Sequence, residues 1–276
     1  MTKKKWGILV RFICAVLTLV MTFSMLAGCD DDRSSKDRDD EEEEEATEVG
    51  GDGERKKIAL TFDDGPHNVH TKNIVDELNK YGYHATFFVV GNRVDGTDYN
   101  GSSALKYVYE AGNEIAIHGY THSVYYDECD ESVYKEELSK TKDAIKKVIP
   151  DAKVKLMRPI GGAITSDRVQ KSPYSVIMWS VDSEDWKYKY KSGDSDAVAK
   201  DKVDTIVNNV MSSVEEGDII LMHDIYESTY DSVVILLERL YEEGYEVVTV
   251  SELLNDPPTG QKFSHAGQTK NDNSFG

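Results

Sequence analysis

Lys57-Ile58-Ala59-Leu60-Thr61-Phe62-Asp63-Asp64-Gly65-Pro66 is the stretch that decides how this chain folds. Apart from Lys57, its first half is apolar or β-branched and too short for a buried helix, so it reads as a buried strand. Two adjacent carboxylates follow, and Gly65-Pro66 turns the chain. A turn alone gives no reason to place Asp63 beside Asp64 at the end of a buried strand. Their mutual repulsion is costly unless a cation lies close by.

Outward from this stretch the same alternation recurs. Short β-branched or aromatic runs lie at 57–62, 84–90, 114–118, 153–157, 174–180, 218–222 and 245–250. Amphipathic stretches predict helices at 71–80, 102–111, 131–149, 197–214 and 229–243. Gly82, Gly112, Gly217 and Gly244 stand where helix C-terminal glycines belong. Strands alternating with helices predict an α/β fold with a parallel sheet. Seven strand candidates imply a closed or nearly closed barrel, with an open doubly wound sheet as the alternative.

The ionisable residues keep register with these strands. Asp63 and Asp64 follow the first candidate, His118 closes the third and Arg158 follows the fourth. Asp182 and Asp185 follow the fifth, and His223 the sixth. In a parallel barrel the carboxyl ends of the strands share one face, where active sites are built. His118-Gly119-Tyr120-Thr121-His122 places two imidazoles four residues apart, which reads as one face of a helical turn able to share a metal. A catalytic zinc site commonly takes three protein ligands and leaves a position open, and Asp63 or Asp64 is the source of the third.

Five segments in order carry a family resemblance: Thr61-Phe62-Asp63-Asp64-Gly65-Pro66, His118 with His122, Arg158-Pro159-Ile160-Gly161-Gly162, Asp182-Ser183-Glu184-Asp185-Trp186, and Leu221-Met222-His223. Over residues 55–255 the chain resembles the NodB-homology polysaccharide deacetylases, carbohydrate esterase family four. The resemblance implies a distorted (β/α) barrel of about seven parallel strands. It implies Asp63 as general base, Asp64, His118 and His122 as ligands of one divalent metal ion, and Arg158 as the residue orienting the base. It further implies Asp185 as the charge partner of a catalytic histidine or arginine, His223 as general acid, and Trp186 and Leu221 as walls of an acetyl pocket. Zinc suits two imidazoles and a carboxylate, and Co2+, Ni2+ or Mn2+ are the alternatives. Many relatives read Arg-x-Pro-Tyr-Gly in the third motif. Here Ile160 takes the proline position and Gly161 the aromatic one, so Gly161 keeps an N–H beside the site and alters the cleft wall. Tyr120, Tyr125, Tyr126, Trp179, Tyr188 and Tyr190 are candidate sugar-stacking residues.

The ends of the chain say where it works. Lys3, Lys4 and Lys5 precede an apolar run from Ile8 to about Leu26, as in an export signal. Leu26-Ala27-Gly28-Cys29 resembles the lipobox of bacterial lipoproteins. That resemblance implies cleavage after residue 28, lipidation of Cys29 and attachment to the outer side of a bacterial cell membrane. Residues 30–54 hold 14 acids and almost nothing apolar, which predicts a disordered acidic tether. The catalytic domain is expected over 55–256, with a polar, disordered tail over 257–276.

The formal net charge is -19; residues 1–28 contribute +4 and residues 30–54 contribute -11, which leaves -12 for the rest. Such a body repels nucleic-acid phosphates, so no nucleic-acid partner is expected. The cysteines are Cys14, Cys29 and Cys129. With the first two in the leader and lipobox, Cys129 has no disulfide partner and no role as a nucleophile.

Location and family resemblance together predict a monomeric enzyme that removes N-acetyl groups from a cell-wall polysaccharide, with peptidoglycan N-acetylglucosamine as the first substrate. Two other readings compete. One is an acetyl-xylan O-deacetylase; the other is a catalytically inactive, lipid-anchored sugar-binding protein.

Overall fold

A computed structural model of the chain describes residues 54–96 and 100–268. The expected signal peptide, Cys29 and all of the acidic tether except Glu54 lie outside the described residues. Nine strands form one sheet: β1 (Lys56–Asp63), β2 (Thr86–Val89), β3 (Glu114–Ile117), β4 (Leu156–Met157), β5 (Ser175–Ile177), β6 (Val181–Asp182), β7 (Ile219–His223), β8 (Tyr245–Val247) and β9 (Lys262–Phe263). Around them run α1 (His70–Lys80), α2 (Gly91–Asp95), α3 (Gly101–Glu110), α4 (Glu131–Val148), α5 (Ser166–Lys171), α6 (Asp196–Met211), α7 (Glu227–Glu242) and α8 (Val250–Leu253).

The strand order is β6-β7-β1-β2-β3-β4-β5-β9, and β8 pairs with the first residues of β1. All these pairings are parallel. The result is a distorted, incomplete (β/α) barrel. β5 and β6 are consecutive in the chain but sit at opposite sides of the opening. The segment Met178–Ser180 crosses that gap: Met178 N–H donates to Phe263 O (2.7 Å) and Ser180 N–H to Ile219 O (3.0 Å).

The expected strands and helices form, and two strands were not anticipated. The run at 174–180 is shorter than predicted, because the chain leaves β5 after Ile177 to cross the gap and then forms β6. β9 corrects the expectation of a disordered tail from Pro257 onward. Val176 N–H donates to Gln261 O (2.9 Å), which stitches this segment onto β5. Among the described residues no helix is long and apolar enough to cross a membrane.

Strand periodicity positions the site. Ala59, Phe88, Ala116, Leu156, Ile177 and Ile219 point inward and pack together with Val250. Their neighbours Ile58, Leu60, Phe62, Phe87, Ile115, Ile117, Met157, Val176, Ile220 and Met222 point outward against the helices. Each aliphatic side chain buried this way contributes about 1.5–3 kcal/mol. α8 covers the amino-terminal end of the inner cluster. There Val250 N–H donates to Thr86 Oγ1 (2.9 Å) and Ser251 N–H to a Glu114 carboxylate oxygen (3.1 Å). The carboxyl end is left to the polar residues.

Candidate active site

The inward rows that begin with Ala59, Ala116, Leu156 and Ile219 continue, two residues at a time, into Thr61 and Asp63, His118, Arg158, and Leu221 and His223. These six residues therefore meet above the apolar cluster without any special loop geometry. Arg158 lies at the centre and is fully buried. Its Nε donates to Ile177 O (3.1 Å), Nη2 to Met178 O (2.8 Å), and Nη1 to both Thr61 Oγ1 and Asp63 Oδ1 (2.8 Å each). The guanidinium carbon sits 4.2 Å from the centre of the Phe88 ring. This is a rigid fork, and it holds the Asp63 carboxylate in one orientation.

Asp64, His118 and His122 converge: one ligand atom from each lies within 4.8 Å of the others. Asp64 Oδ1 is 2.7 Å from His122 Nε2 and 3.5 Å from His118 Nε2. Asp64 Oδ1 is nevertheless buried with no hydrogen bond of acceptable geometry. His118 Nδ1 pairs with Arg158 O at 2.9 Å, which leaves its Nε2 lone pair facing the carboxylate. Three lone pairs aimed at one point, one of them an orphaned buried oxygen, fit a divalent cation. Burial opposes ionisation of Asp64, but the two imidazoles beside it hold its carboxyl well below the usual carboxylate range. The side chain of His122 is 37% exposed, so the site opens to solvent on that side.

The two histidines do not lie on a helical turn. Residues 118–122 form a loop, with Gly119 at φ +85° and His122 at φ +58°. The reversal at Gly119 brings the two rings together, with centroids 5.5 Å apart.

His223 is the register partner of Asp63 across β1 and β7. Its Nδ1 pairs with Asp185 Oδ1 (2.7 Å), and its backbone N–H donates to Asp185 Oδ2 (2.7 Å). Thr229 Oγ1 and Trp186 N–H also donate to that fully buried carboxylate, at 2.6 and 2.8 Å. Burial works against a charge on His223, but the Asp185 hydrogen bond and the nearby aspartates prevail and raise its pKa to about 9. The imidazole is thus a protonated acid at neutral pH.

Residues 50–173 match the polysaccharide deacetylase family model. A peptidoglycan-N-acetylglucosamine deacetylase of Bacillus cereus is 36% identical over 175 residues, covering 61% of this chain and 73% of that one. The chain belongs to the polysaccharide deacetylase family. It is also similar to the peptidoglycan-N-acetylmuramic acid deacetylase PdaC of Bacillus subtilis, at 37% identity over 202 residues. That match covers 73% of this chain and only 39% of the length of PdaC. The solved structure of PdaC superposes with a TM-score of 0.64 at 34% identity, covering 73% of this chain and 91% of the structure. A family 4 acetyl xylan esterase of Clostridium thermocellum, solved in complex with a cobalt ion, superposes with a TM-score of 0.65 at 25% identity, covering 77% of this chain and all of that one. Polysaccharide deacetylases of this type are metal-dependent, and Asp64, His118 and His122 form the metal-site triad of this one.

The remaining predicted residues differ in exposure. Trp186 is 45% exposed, whereas Leu221 is buried on the inward face. Gly161 adopts φ +60°, and a Cβ there would stand 3.3 Å from the Tyr125 ring, so the missing aromatic side chain leaves room for Tyr125 to lie against the backbone. Among the stacking candidates Tyr126 is completely buried, and Tyr190 donates its hydroxyl to Asp231 (2.6 Å). Tyr126 therefore offers no sugar-binding face. Cys129 is a free thiol whose sulfur accepts a hydrogen bond from Arg168 (3.4 Å).

Three participants were missed. Thr61 lies inside the quoted stretch, and its inward parity was the available signal. Asp224 is fully buried behind Gly65, where a Cβ would stand 2.3 Å from its carboxylate. Burial, opposed by the Thr71 hydroxyl and reinforced by the charge of Asp64, pushes Asp224 up to about 7. Glu137, from the middle of α4, accepts hydrogen bonds from the loop that carries His122.

Proposed function

We propose that this chain is a hydrolase that removes N-acetyl groups from the sugars of a cell-wall polysaccharide. Peptidoglycan is the polymer and N-acetylglucosamine the first sugar. One observation carries the reading: Asp63 locked on Arg158, and His223 on Asp185, are register partners beside a three-ligand metal site. An acid–base pair flanking a Lewis-acid site suits amide hydrolysis, in which a poor leaving amine must be protonated. The names of the two peptidoglycan-deacetylating relatives support the polymer, and they divide between its two acetamido sugars.

In this mechanism Asp64, His118 and His122 hold one divalent ion, zinc first, with Co2+, Ni2+ or Mn2+ as substitutes. When bound, such an ion acidifies water and polarises the acetamide carbonyl. Asp63, oriented by Arg158, takes the proton from attacking water. In this reading the Gly161 N–H is the donor to the developing oxyanion. His223 gives its proton to the departing sugar amine, and Asp185 keeps that proton in place until it is needed. Trp186 and Leu221 enclose the acetyl methyl group. Cys29 carries the lipid that fixes the protein to the outer side of the cell membrane, residues 30–54 extend its reach to the wall, and the protein works as a monomer.

The test is acetate release by the full chain from peptidoglycan, N-acetylglucosamine oligomers and acetyl-xylan, each with zinc and with chelator. Chelator-sensitive release from the acetamido substrates is expected. Release from acetyl-xylan alone makes the protein an O-esterase. Sugar binding that survives chelation, with no acetate released, makes it a binding protein.

A further inference from the structure

The loop from His118 to His122 has to bring two imidazoles to one carboxylate within a single short turn, and its backbone accounting shows how. His118 N–H donates to Val89 O (2.9 Å), continuing the β3 ladder. The carbonyls of Gly119 and Tyr120 accept from Gly91 and Asn92 N–H at the start of α2 (2.9 and 3.0 Å). The N–H groups of Tyr120 and Thr121 point the other way, and both donate to Glu137 Oε2 (2.7 and 2.9 Å). The Thr121 hydroxyl donates to Glu137 Oε1 (3.0 Å).

Glu137 is 6% exposed, and among the described residues no lysine or arginine forms an ion pair with it. Three of the hydrogen bonds to its carboxylate come from the loop that carries the ligands. A buried carboxylate without a cation is tolerated only where such donors are fixed. The same loop holds His122 in the left-handed region at φ +58°, a conformation that persists only when the surroundings over-determine it. Gly119 adds to this: a Cβ there would stand 2.8 Å from Tyr126 Oη and 3.3 Å from Glu137 Oε2. The loop is therefore clamped between α2, which holds its carbonyls, and α4, which holds its N–H groups.

We propose that Glu137 is the positioning residue of the metal site, fixing the His118–His122 loop in its ligating conformation and so setting the affinity for the ion. The inference rests on the metal reading of Asp64, His118 and His122. Glu137 touches neither the ion nor the substrate and acts through the backbone of the loop.

The test is the affinity of the full chain for Zn2+ and Co2+, measured by competition with a chromophoric chelator and, for cobalt, by the visible absorption of the bound ion. Glu137→Leu removes the clamp and is expected to weaken binding by about 10–100-fold, the range seen when outer partners of metal ligands are removed. Glu137→Gln keeps an acceptor for both N–H groups and should recover most of the affinity. If Glu137→Leu does not fold, Thr121→Val removes one of the three bonds and should still weaken the ion several-fold. Wild-type affinity in folded Glu137→Leu, or in Thr121→Val, overturns the proposal. A wild-type chain that binds neither ion overturns the metal reading itself, a result separable from a failure of the clamp.

Discussion

The two ends of the barrel both hold carboxylates, and they treat them in opposite ways. At the amino-terminal end Glu114 accepts from Ser251 N–H (3.1 Å), the Ser251 hydroxyl and Thr86 Oγ1 (2.9 Å), so its oxygens are satisfied by neutral donors from α8 and β2. At the carboxyl end Asp64 Oδ1 has no hydrogen bond, and it faces two imidazole nitrogens across 2.7 and 3.5 Å. One end is closed by its polar groups, and the other is held open by them. The incomplete carboxylate is the one that faces the cluster of candidate ligands.

The comparison breaks most sharply if the incomplete end can lose a group without consequence. His118→Ala should abolish both metal binding and acetate release. Asp63→Asn should keep the metal and lower release by about 10²–10⁴-fold, the usual weight of a general base. Metal titration and acetate assays on the two variants check this, and full release in either removes the assignment. Next in size is Arg158→Met, which leaves Asp63 buried without its cation and should cost roughly 3–5 kcal/mol in denaturant unfolding. An unchanged midpoint would mean that the fork does not hold Asp63.

The pH dependence is gentler. The pKa of His223 is raised from 6.5 to about 9 in the folded chain. Its acid form, and the stability of its pair with Asp185, are fully present below 6.5 and are lost as pH rises through about 9. Release should therefore fall on the alkaline side near that value, and Asp185→Asn should move the falling limb toward the ordinary histidine range. A limb that stays in place in the variant would detach Asp185 from the acid. The smallest effect belongs to the closed end. Glu114→Gln should cost about 1 kcal/mol, the net worth of a hydrogen bond, and leave acetate release unchanged. A large loss of activity there would erase the contrast between the ends.

Much of the catalytic end was legible because strand parity carries it. Once Ala59, Thr61 and Asp63 share a face, the same rule applied to Ala116 and His118, and to Ile219, Leu221 and His223, assembles the inward cluster from pattern alone. The helical reading of His118 and His122 failed because residue spacing carries no sign of φ, and Gly119 at +85° reverses the chain. Glu137 was invisible because α4 carries charges all along its length, and nothing in a run of Glu and Lys marks the one that turns inward. β6 and β9 were missed because each is only two residues long. Their pairing depends on partners distant in the chain, and strands that short have no period to detect.

β9 also has a bearing on how the fold keeps to itself. By covering Val176 and Ile177 it occupies backbone donors and acceptors that would otherwise line a free sheet margin beside the gap crossed by Met178–Ser180. A protease nick near Pro257 would uncover that margin and offer it to a second molecule, so loss of the terminal segment would show first as self-association and only later as lost catalysis.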